Sequence, residues 1–241
     1  MANIFPKWSN TLPLKILIGL TLVGGGVSWG TMYYFSPKFS RPGYMPEQPV
    51  SYDHSFHVGQ LGLDCRYCHS NVDKSPHANL PAASTCMSCH DTVLKDSPAL
   101  ALVRESYYGE DKNRNRKLDP GEDLNANDVL DGGPPVPWVR VHKSPDYAYF
   151  NHAIHVNRGI SCVECHGDVT KMKEVRHEKS LGMAFCLDCH RNPEKALRPL
   201  DKVYDLTWKP DPEDPHHLGL GQELKKNWHI QPPTSCTGCH R

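Results

Sequence analysis

The pattern C-x-x-C-H occurs five times in this chain of 241 residues and uses all ten of its cysteines. It is the signal for covalent attachment of a c-type haem, because two thiols at this spacing reach the two vinyl groups on one edge of a porphyrin. The histidine that follows then binds the iron as the proximal ligand. The predicted attachment residues are Cys65, Cys68, Cys86, Cys89, Cys162, Cys165, Cys186, Cys189, Cys236 and Cys239. The predicted proximal ligands are His69, His90, His166, His190 and His240.

A single C-x-x-C-H also occurs as half of a zinc site or as a redox pair, but five of five with a trailing histidine predict five covalent haems. The composition agrees, because only 38% of the residues are hydrophobic and there are 18 glycines and 21 prolines. Five porphyrins would replace the missing aliphatic interior. The predicted fold class is therefore a multihaem cytochrome c, loop-rich with short α-helices packed around five haems. The formal net charge of zero argues against nucleic-acid binding.

An uncharged segment of twenty residues runs from Ile16 to Phe35. This is about the length that a helix needs to cross the hydrocarbon core of a bilayer. A cleaved signal peptide is the alternative, but the apolar run is longer than a usual h-region and no clear A-x-A-like site follows it. We predict a cytoplasmic stub at 1–15, an anchor helix at 16–35 and a periplasmic haem domain at 36–241. This orientation in the bacterial inner membrane follows because c-type haems are attached on the outer side.

The haem region repeats itself, with corresponding positions of the two copies separated by 97 to 100 residues. The copies are two-haem units at 52–90 and 150–190, and an insert at 91–149 separates them. The fifth motif, at 236–240, stands apart near the C-terminus.

An aromatic-x-His-x-x-His segment precedes the first motif of each copy and resembles the class III multihaem cytochromes, the tetrahaem and trihaem cytochromes c. Residues three apart in a helix lie on one face. In that family, one histidine of the pair caps the haem just downstream and the other caps a second haem. The resemblance implies distal ligands at His54, His57, His152 and His155. The alternative is surface or hydrogen-bonding histidines, which the repetition in register disfavours.

Four distal ligands leave one haem without a sixth ligand. Met183 lies three residues before Cys186, and a methionine ligand would raise the potential of its haem. Met183 packing on a porphyrin face is the alternative. His142 is the second candidate, and a hydrogen bond to a haem propionate is its alternative role. His177, His77 and His229 are further candidates. Because candidates exceed haems, an open iron site is not indicated, and we expect electron transfer without a catalytic site of its own.

The insert contains a match to the calcium-loop template, with oxygen side chains at positions 1, 3, 5, 9 and 12. Position 6 is Arg116 where the template has glycine, which argues against a sharp turn. Asn125 and Asn127 extend the run, so ligands from further along are also considered. A solvated, turn-rich loop is the alternative. The predicted calcium ligands are Asp111, Asn113, Asn115, Asp119 and Glu122.

Three segments, 85–90, 137–156 and 180–191, resemble the pentahaem cytochrome c subunit of alternative complex III. This is a bacterial quinol-oxidising respiratory or photosynthetic complex. Their sequences are TCMSCH, PWVRVHKSPDYAYFNHAIHV and SLGMAFCLDCHR. The resemblance covers most of the chain in the order and spacing of one anchor and five haems, although family members often have Trp where this chain has Phe185.

The resemblance implies a subunit that passes electrons from quinol through five haems to a soluble carrier or a terminal oxidase. It implies polytopic quinol-binding membrane subunits, an iron–sulfur subunit and a monohaem cytochrome as partners. The main alternative is an anchored quinol dehydrogenase of the NapC type, which would oxidise quinol itself. The doubled histidine pattern and the long insert count against it. A reaction-centre cytochrome would use more methionine ligands, and a zinc or disulfide protein would fail haem staining.

Overall fold

The computed structural model describes residues 6–35 and 41–240. Residues 1–5 of the predicted stub, residues 36–40 at the start of the predicted haem domain, and residue 241 lie outside the described part. The chain divides into two compact units, Met1–Tyr44 and Met45–Arg241.

The first unit holds a 3-10 turn at Lys7–Thr11 and one long helix, α1, at Leu12–Tyr34. Proline in the first turn suits a helix start, since its missing N–H has no partner there in any case. The 23 residues of α1 span about 35 Å at 1.5 Å per residue, against a hydrocarbon core of about 30 Å. None of its residues is buried within the unit. It is the one helix among the described residues that is long and apolar enough to span a membrane.

The second unit is built from short helices that surround the five motifs. A π-helical turn at Ser55–Gln60 precedes the first of them. The α-helices are α2 at Cys65–Cys68, α3 at Ala83–His90, α4 at Ala101–Tyr108, α5 at His152–Val156, α6 at Cys162–His166, α7 at Met183–Arg191, α8 at Leu220–Asn227 and α9 at Cys236–Cys239. Short 3-10 turns lie at Pro98–Leu100, Val169–Lys171, Pro193–Lys195 and Leu200–Lys202.

The apolar core of this unit is small. Ten hydrophobic side chains are buried among the described residues, and six of them form two small clusters. One cluster consists of Val50, Met87 and Val103, and the other of Val72, Val156 and Val203. In residues 6–35 and 41–240, isolated strand pairing is seen at two antiparallel bridges, Ala148 with His240 and Ile160 with Leu197. The predicted loop-rich helical architecture and its thin aliphatic core are confirmed.

Gly159 marks a close approach of two chain segments just before α6. Its φ is +80°, and a Cβ there would lie 2.6 Å from the carbonyl oxygen of Arg198 and 2.8 Å from the Trp228 ring. We expect Gly159→Ala to lower the free energy of unfolding by about 1–3 kcal/mol, because it combines backbone strain with a clash. Gly62→Ala is the matched control, since Gly62 has a φ of +68° with open space around it. Equal shifts in melting temperature for the two variants would contradict this account.

Candidate haem-binding site

Each motif lies in a short α-helix that places its two thiols on one side. In α2, Asp64 caps the turn, and its Oδ1 accepts the backbone N–H of Arg66 at 2.8 Å. The turn therefore begins at Cys65 and brings Cys68 onto the same face, because residues three apart in a helix are neighbours. All ten cysteines are free thiols. They are available for thioether bonds to a porphyrin.

Four of the five predicted proximal histidines have the tautomer that iron binding requires. In four of the five motifs, Nδ1 lies against a backbone carbonyl oxygen, which can only accept a hydrogen bond. The N–H is therefore on Nδ1, and Nε2 keeps its lone pair for a metal, as in most metal-binding histidines. The four contacts are His69 with Asn79 at 2.7 Å, His90 with Val93 at 2.9 Å, His190 with Pro233 at 2.7 Å and His240 with Tyr147 at 3.3 Å.

Three of the predicted distal histidines show the same arrangement. The three contacts are His57 with the Asp53 oxygen at 2.8 Å, His152 with the Pro76 oxygen at 2.8 Å and His155 with the Asn151 oxygen at 2.7 Å. His217, in a loop outside the motifs, is the reverse, because its Nδ1 accepts the Asp211 amide at 2.8 Å. The donor pattern therefore distinguishes the predicted ligands from an ordinary loop histidine.

The aromatic residue of each aromatic-x-His-x-x-His segment packs in the same way in both copies. Tyr52 stacks on His57 with ring centres 4.5 Å apart and meets His54 edge-on at 4.7 Å. Phe150 stacks on His155 at 4.5 Å and meets His152 edge-on at 4.8 Å. The aromatic ring thus fixes the orientation of both imidazoles, and the structure repeats this geometry in the two units.

Three predicted distal rings each face one proximal ring, and the separation of ring centres is nearly the same in the three pairs. Two imidazoles that share a metal, each with an N–metal bond of about 2.0 Å, have ring centres roughly 6 Å apart. The three pairs are His57 with His90 at 6.2 Å, His152 with His166 at 6.4 Å and His155 with His190 at 6.2 Å. The rings of the second pair are within 7° of parallel. These residues fit a haem iron with histidine on both sides.

Burial lowers the pKa of His54, His152, His155 and His166 and so favours the neutral imidazole, which is the form that binds metal. It lowers the pKa of His166 to about 3, with the nearby His142 adding to the effect. Burial, with a smaller contribution from His69, lowers the pKa of His54 to about 4. His69 therefore lies near His54 in the first copy, as His166 lies near His152 in the second. The Nδ1 atom of His54 is buried without a hydrogen-bond partner.

The two candidates for the fifth distal ligand occupy different surroundings. Met183 begins α7 and is 63% exposed. His142 lies edge-on against His166 with ring centres 4.3 Å apart and stacks on His177 at 5.0 Å. A separation of 4.3 Å is too short for His142 and His166 to share one iron. The assignment of a sixth ligand to the fifth haem stays a prediction.

The loop predicted to bind calcium is tightly organised around two buried carboxylates, Asp111 and Glu122, which are 3% and 5% exposed. The Oδ2 of Asp111 accepts the Arg116 amide at 2.8 Å. The Oε1 of Glu122 accepts the Lys112 amide at 3.0 Å and its Oε2 the Asp119 amide at 3.1 Å. Arg116 adopts the left-handed φ of +60° that glycine would favour at position 6.

Asp119 is tied to the amide groups of Asn113 and Asn115, at 2.7 Å and 2.6 Å. In the described part of the chain, no three Asp, Glu, His or Cys side chains converge as a ready metal site. Calcium binding at this loop therefore requires Asp119 to exchange its two amide donors for the ion.

The structure also shows a repeat that our sequence interpretation missed. Residues 110–121 and 122–133 share the pattern E-D-x-N-x-N-x-x-L-D-x-G. The first turn follows Glu110 and the second follows Glu122. The Glu110 carboxylate accepts backbone amides of the second turn, from Leu124 at 2.9 Å and Asp131 at 3.1 Å, just as Glu122 accepts amides of the first. The signal was present in the sequence as a twelve-residue period, but the glutamate lies before its turn instead of at position 12.

Comparison with protein families supports the haem interpretation. The family model described as cytochrome c7 and related cytochrome c matches residues 50–111 and 148–241. The chain belongs to this family. It is therefore a multihaem cytochrome c, which carries covalent haem c and transfers electrons. The match leaves out residues 112–147, which are most of the insert and include both of its turns except Glu110 and Asp111.

Three curated relatives are similar to this cytochrome over part of its length. The menaquinone reductase multihaem cytochrome c subunit of Nitratidesulfovibrio vulgaris is 29% identical over 120 residues, which are 50% of this chain and 46% of the relative. A cytochrome c-552 of Desulfotalea psychrophila is 33% identical over 61 residues, 22% of this chain and 12% of the relative. A cytochrome c-552 of Bacteroides fragilis is 28% identical over 168 residues, 59% of this chain and 34% of the relative. The matches span less than half of each relative.

Proposed function

We propose that this cytochrome carries five haems and is the electron-transfer subunit of a membrane quinol-oxidising complex of the alternative complex III type. The observation that carries the proposal is the set of three facing histidine pairs at 6.2–6.4 Å. An iron with histidine on both sides has no position for substrate and serves electron transfer. Haem iron supplies one-electron redox chemistry when bound. The chain attaches, orients and shields it.

In this proposal the distal ligands are His54, His57, His152 and His155, with Met183 or His142 as the ligand of the remaining iron. Carbonyl contacts of Nδ1 hold the rings of His57, His152 and His155 against rotation. Burial lowers the pKa of His54, His152 and His155, which reduces the competition of protons with the metal for Nε2.

The proposal of a membrane quinone partner is supported by the similarity to a menaquinone reductase cytochrome subunit and by α1. The direction, quinol oxidation, rests on the resemblance to alternative complex III. Quinol is confined to the membrane, and α1 has the length and composition to anchor the chain there. We place the haem domain on the periplasmic side. The proposed partners are polytopic quinol-binding subunits, an iron–sulfur subunit and a monohaem cytochrome, with a soluble carrier or terminal oxidase as the acceptor.

Reduction of the haems by quinol distinguishes this role from that of a NapC-type dehydrogenase. A menaquinol analogue is added under anaerobic conditions to the intact membrane complex and, separately, to the purified full chain in detergent. We expect the haem absorption of the complex to change to the reduced form, while the chain alone stays oxidised. Direct reduction of the purified chain at the rate of the complex would contradict the proposal and favour the dehydrogenase.

We further propose that the loop of Asp111, Asn113, Asn115, Asp119 and Glu122 binds calcium and fixes the insert on the haem domain. The support is the spacing of oxygen donors and the burial of two carboxylates, for which the described residues contain no ion-pair partner within 4.0 Å. A divalent cation would compensate their charge.

Removing one carboxylate charge tests the calcium proposal. We expect Glu122→Gln to weaken calcium binding at least about tenfold, because affinity in such loops follows the number of charged ligands. The readouts are isothermal titration with calcium and the dependence of melting temperature on calcium concentration. Glu105→Gln is the matched control, since Glu105 is an exposed glutamate on α4. Wild-type protein that takes up no calcium and melts at the same temperature with a chelator would refute the proposal.

A further inference from the structure

Numbered along the chain, the motifs are motif 1 at 65–69, motif 2 at 86–90, motif 3 at 162–166, motif 4 at 186–190 and motif 5 at 236–240. Their arrangement in space differs from this order. We propose that the haems form one unbranched row in the order of motifs 2, 1, 3, 4 and 5, so that electrons pass between these neighbours and leave the chain at the two ends. This inference rests on the proposed electron-transfer function and adds the route.

Motifs 1 and 2 are neighbours within the first two-haem unit, 52–90. The Tyr67 hydroxyl of motif 1 lies 2.6 Å from the Ser88 hydroxyl of motif 2. The π-helical turn that carries His57 lies just upstream of motif 1, yet the His57 ring faces His90 of motif 2. The segment just upstream of motif 1 therefore supplies His57 to motif 2, while His54 of the same segment lies near His69 of motif 1.

Motifs 3 and 4 are joined in the same way in the second unit. Helix α5 carries both His152 and His155, and their rings face His166 and His190 respectively. One short helix thus holds the irons of motifs 3 and 4 close together.

The two-haem units 52–90 and 150–190 meet at motifs 1 and 3. The Cys65 and Cys162 side chains are neighbours at this junction. The His152 Nδ1 donates to Pro76 of the first unit at 2.8 Å, and the Asn157 amide donates to the Asp73 carbonyl at 2.9 Å. Both acceptors lie a few residues after motif 1. The junction therefore brings the first haem of each unit together.

Motif 5 packs against motif 4. His190 of motif 4 donates to the Pro233 carbonyl, three residues before Cys236. The Tyr149 amide donates to the Cys239 carbonyl at 2.7 Å, directly before Phe150, which stacks on His155. Motif 5 thus extends the row from motif 4, and motif 2 forms the other end.

Each transfer in the row oxidises one ferrous haem and reduces the ferric haem beside it, and no bond is made or broken. A quinol oxidised elsewhere in the complex supplies two electrons and releases two protons, and a one-electron acceptor removes the electrons at the far end. A haem at an end of the row has one adjacent haem, and a haem inside the row has two.

The number of neighbours is measurable by electron paramagnetic resonance on the full chain in detergent. His57→Met and His155→Met are matched variants that raise the potential of one haem each, in motif 2 and motif 4. That haem is then reduced selectively to its diamagnetic low-spin ferrous state, which removes its magnetic coupling to adjacent ferric haems. The row predicts that one other haem signal changes in His57→Met and that two change in His155→Met.

Two changed signals in His57→Met would overturn the row, and this is what a row in chain order predicts. A single changed signal in His155→Met would also overturn it. If either methionine variant is unstable, His57→Ala and His155→Ala provide open irons, and carbon monoxide bound to the ferrous form gives the same count. The count needs neither quinol nor partner subunits, so its failure is distinct from failure of the quinol experiment.

Discussion

His57→Met is expected to raise the midpoint potential of one haem by roughly 100 mV or more while the other haems keep theirs. Methionine stabilises ferrous iron relative to histidine, and axial ligands tune haem potentials over about 0.8 V. The His57 ring faces His90 at 6.2 Å, so the affected haem is that of motif 2. A spectroelectrochemical titration resolves the shift, and magnetic circular dichroism detects the new methionine ligand.

His216→Met is the control for this variant, because His216 is exposed in a loop outside the motifs. It adds a methionine without reaching an iron and is expected to change no potential. If His57→Met and His216→Met give the same titration curve as the wild type, His57 is not a ligand.

Removing the third cysteine pair is expected to have a larger effect than removing the fifth. Cys236→Ala with Cys239→Ala should lower the haem content by about one fifth and leave a folded protein, since Cys236 is exposed. Cys162→Ala with Cys165→Ala should prevent accumulation of folded protein. The haem of motif 3 lies where the two units meet, and its loss would leave a void far larger than a Leu→Ala cavity, which already costs about 2.7–5.0 kcal/mol.

The surroundings of motif 3 support this difference. Ser161, directly before it, is 1% exposed, and its hydroxyl donates to the Val203 carbonyl at 2.6 Å. Arg198 pairs with Glu164 of the motif at 2.9 Å. Haem content per polypeptide and soluble yield are the measurements. Equal yields of the two double variants would show that the third haem is not central to the fold.

The cysteine and histidine spacing in the sequence predicts most of the residues of the candidate site. Cysteine spacing by itself places both thiols on one turn, so the pairing of Cys65 with Cys68 follows directly from the sequence. The aromatic-x-His-x-x-His segment predicts that His152 and His155 share a face. It does not say which iron each ring reaches, because that depends on where α6 and α7 pack.

The remaining features depend on contacts between distant segments. The meeting of Cys65 and Cys162 and the packing of motif 5 on motif 4 have no local signal. In the insert, an arginine at position 6 disfavours a sharp turn, and the structure makes the turn with Arg116 in the left-handed conformation. The role of Glu110 was missed because it acts across twenty-one residues, on the Asp131 amide.

The most direct test of the central proposal is the identity of the assembly that holds this cytochrome. Native membranes are solubilised mildly, separated on a native gel and stained for haem, and the co-migrating chains are identified by mass spectrometry. We expect one large haem-staining band that contains polytopic membrane subunits and an iron–sulfur protein together with this chain. A small band that holds this chain alone, or with a soluble reductase, would contradict the proposal.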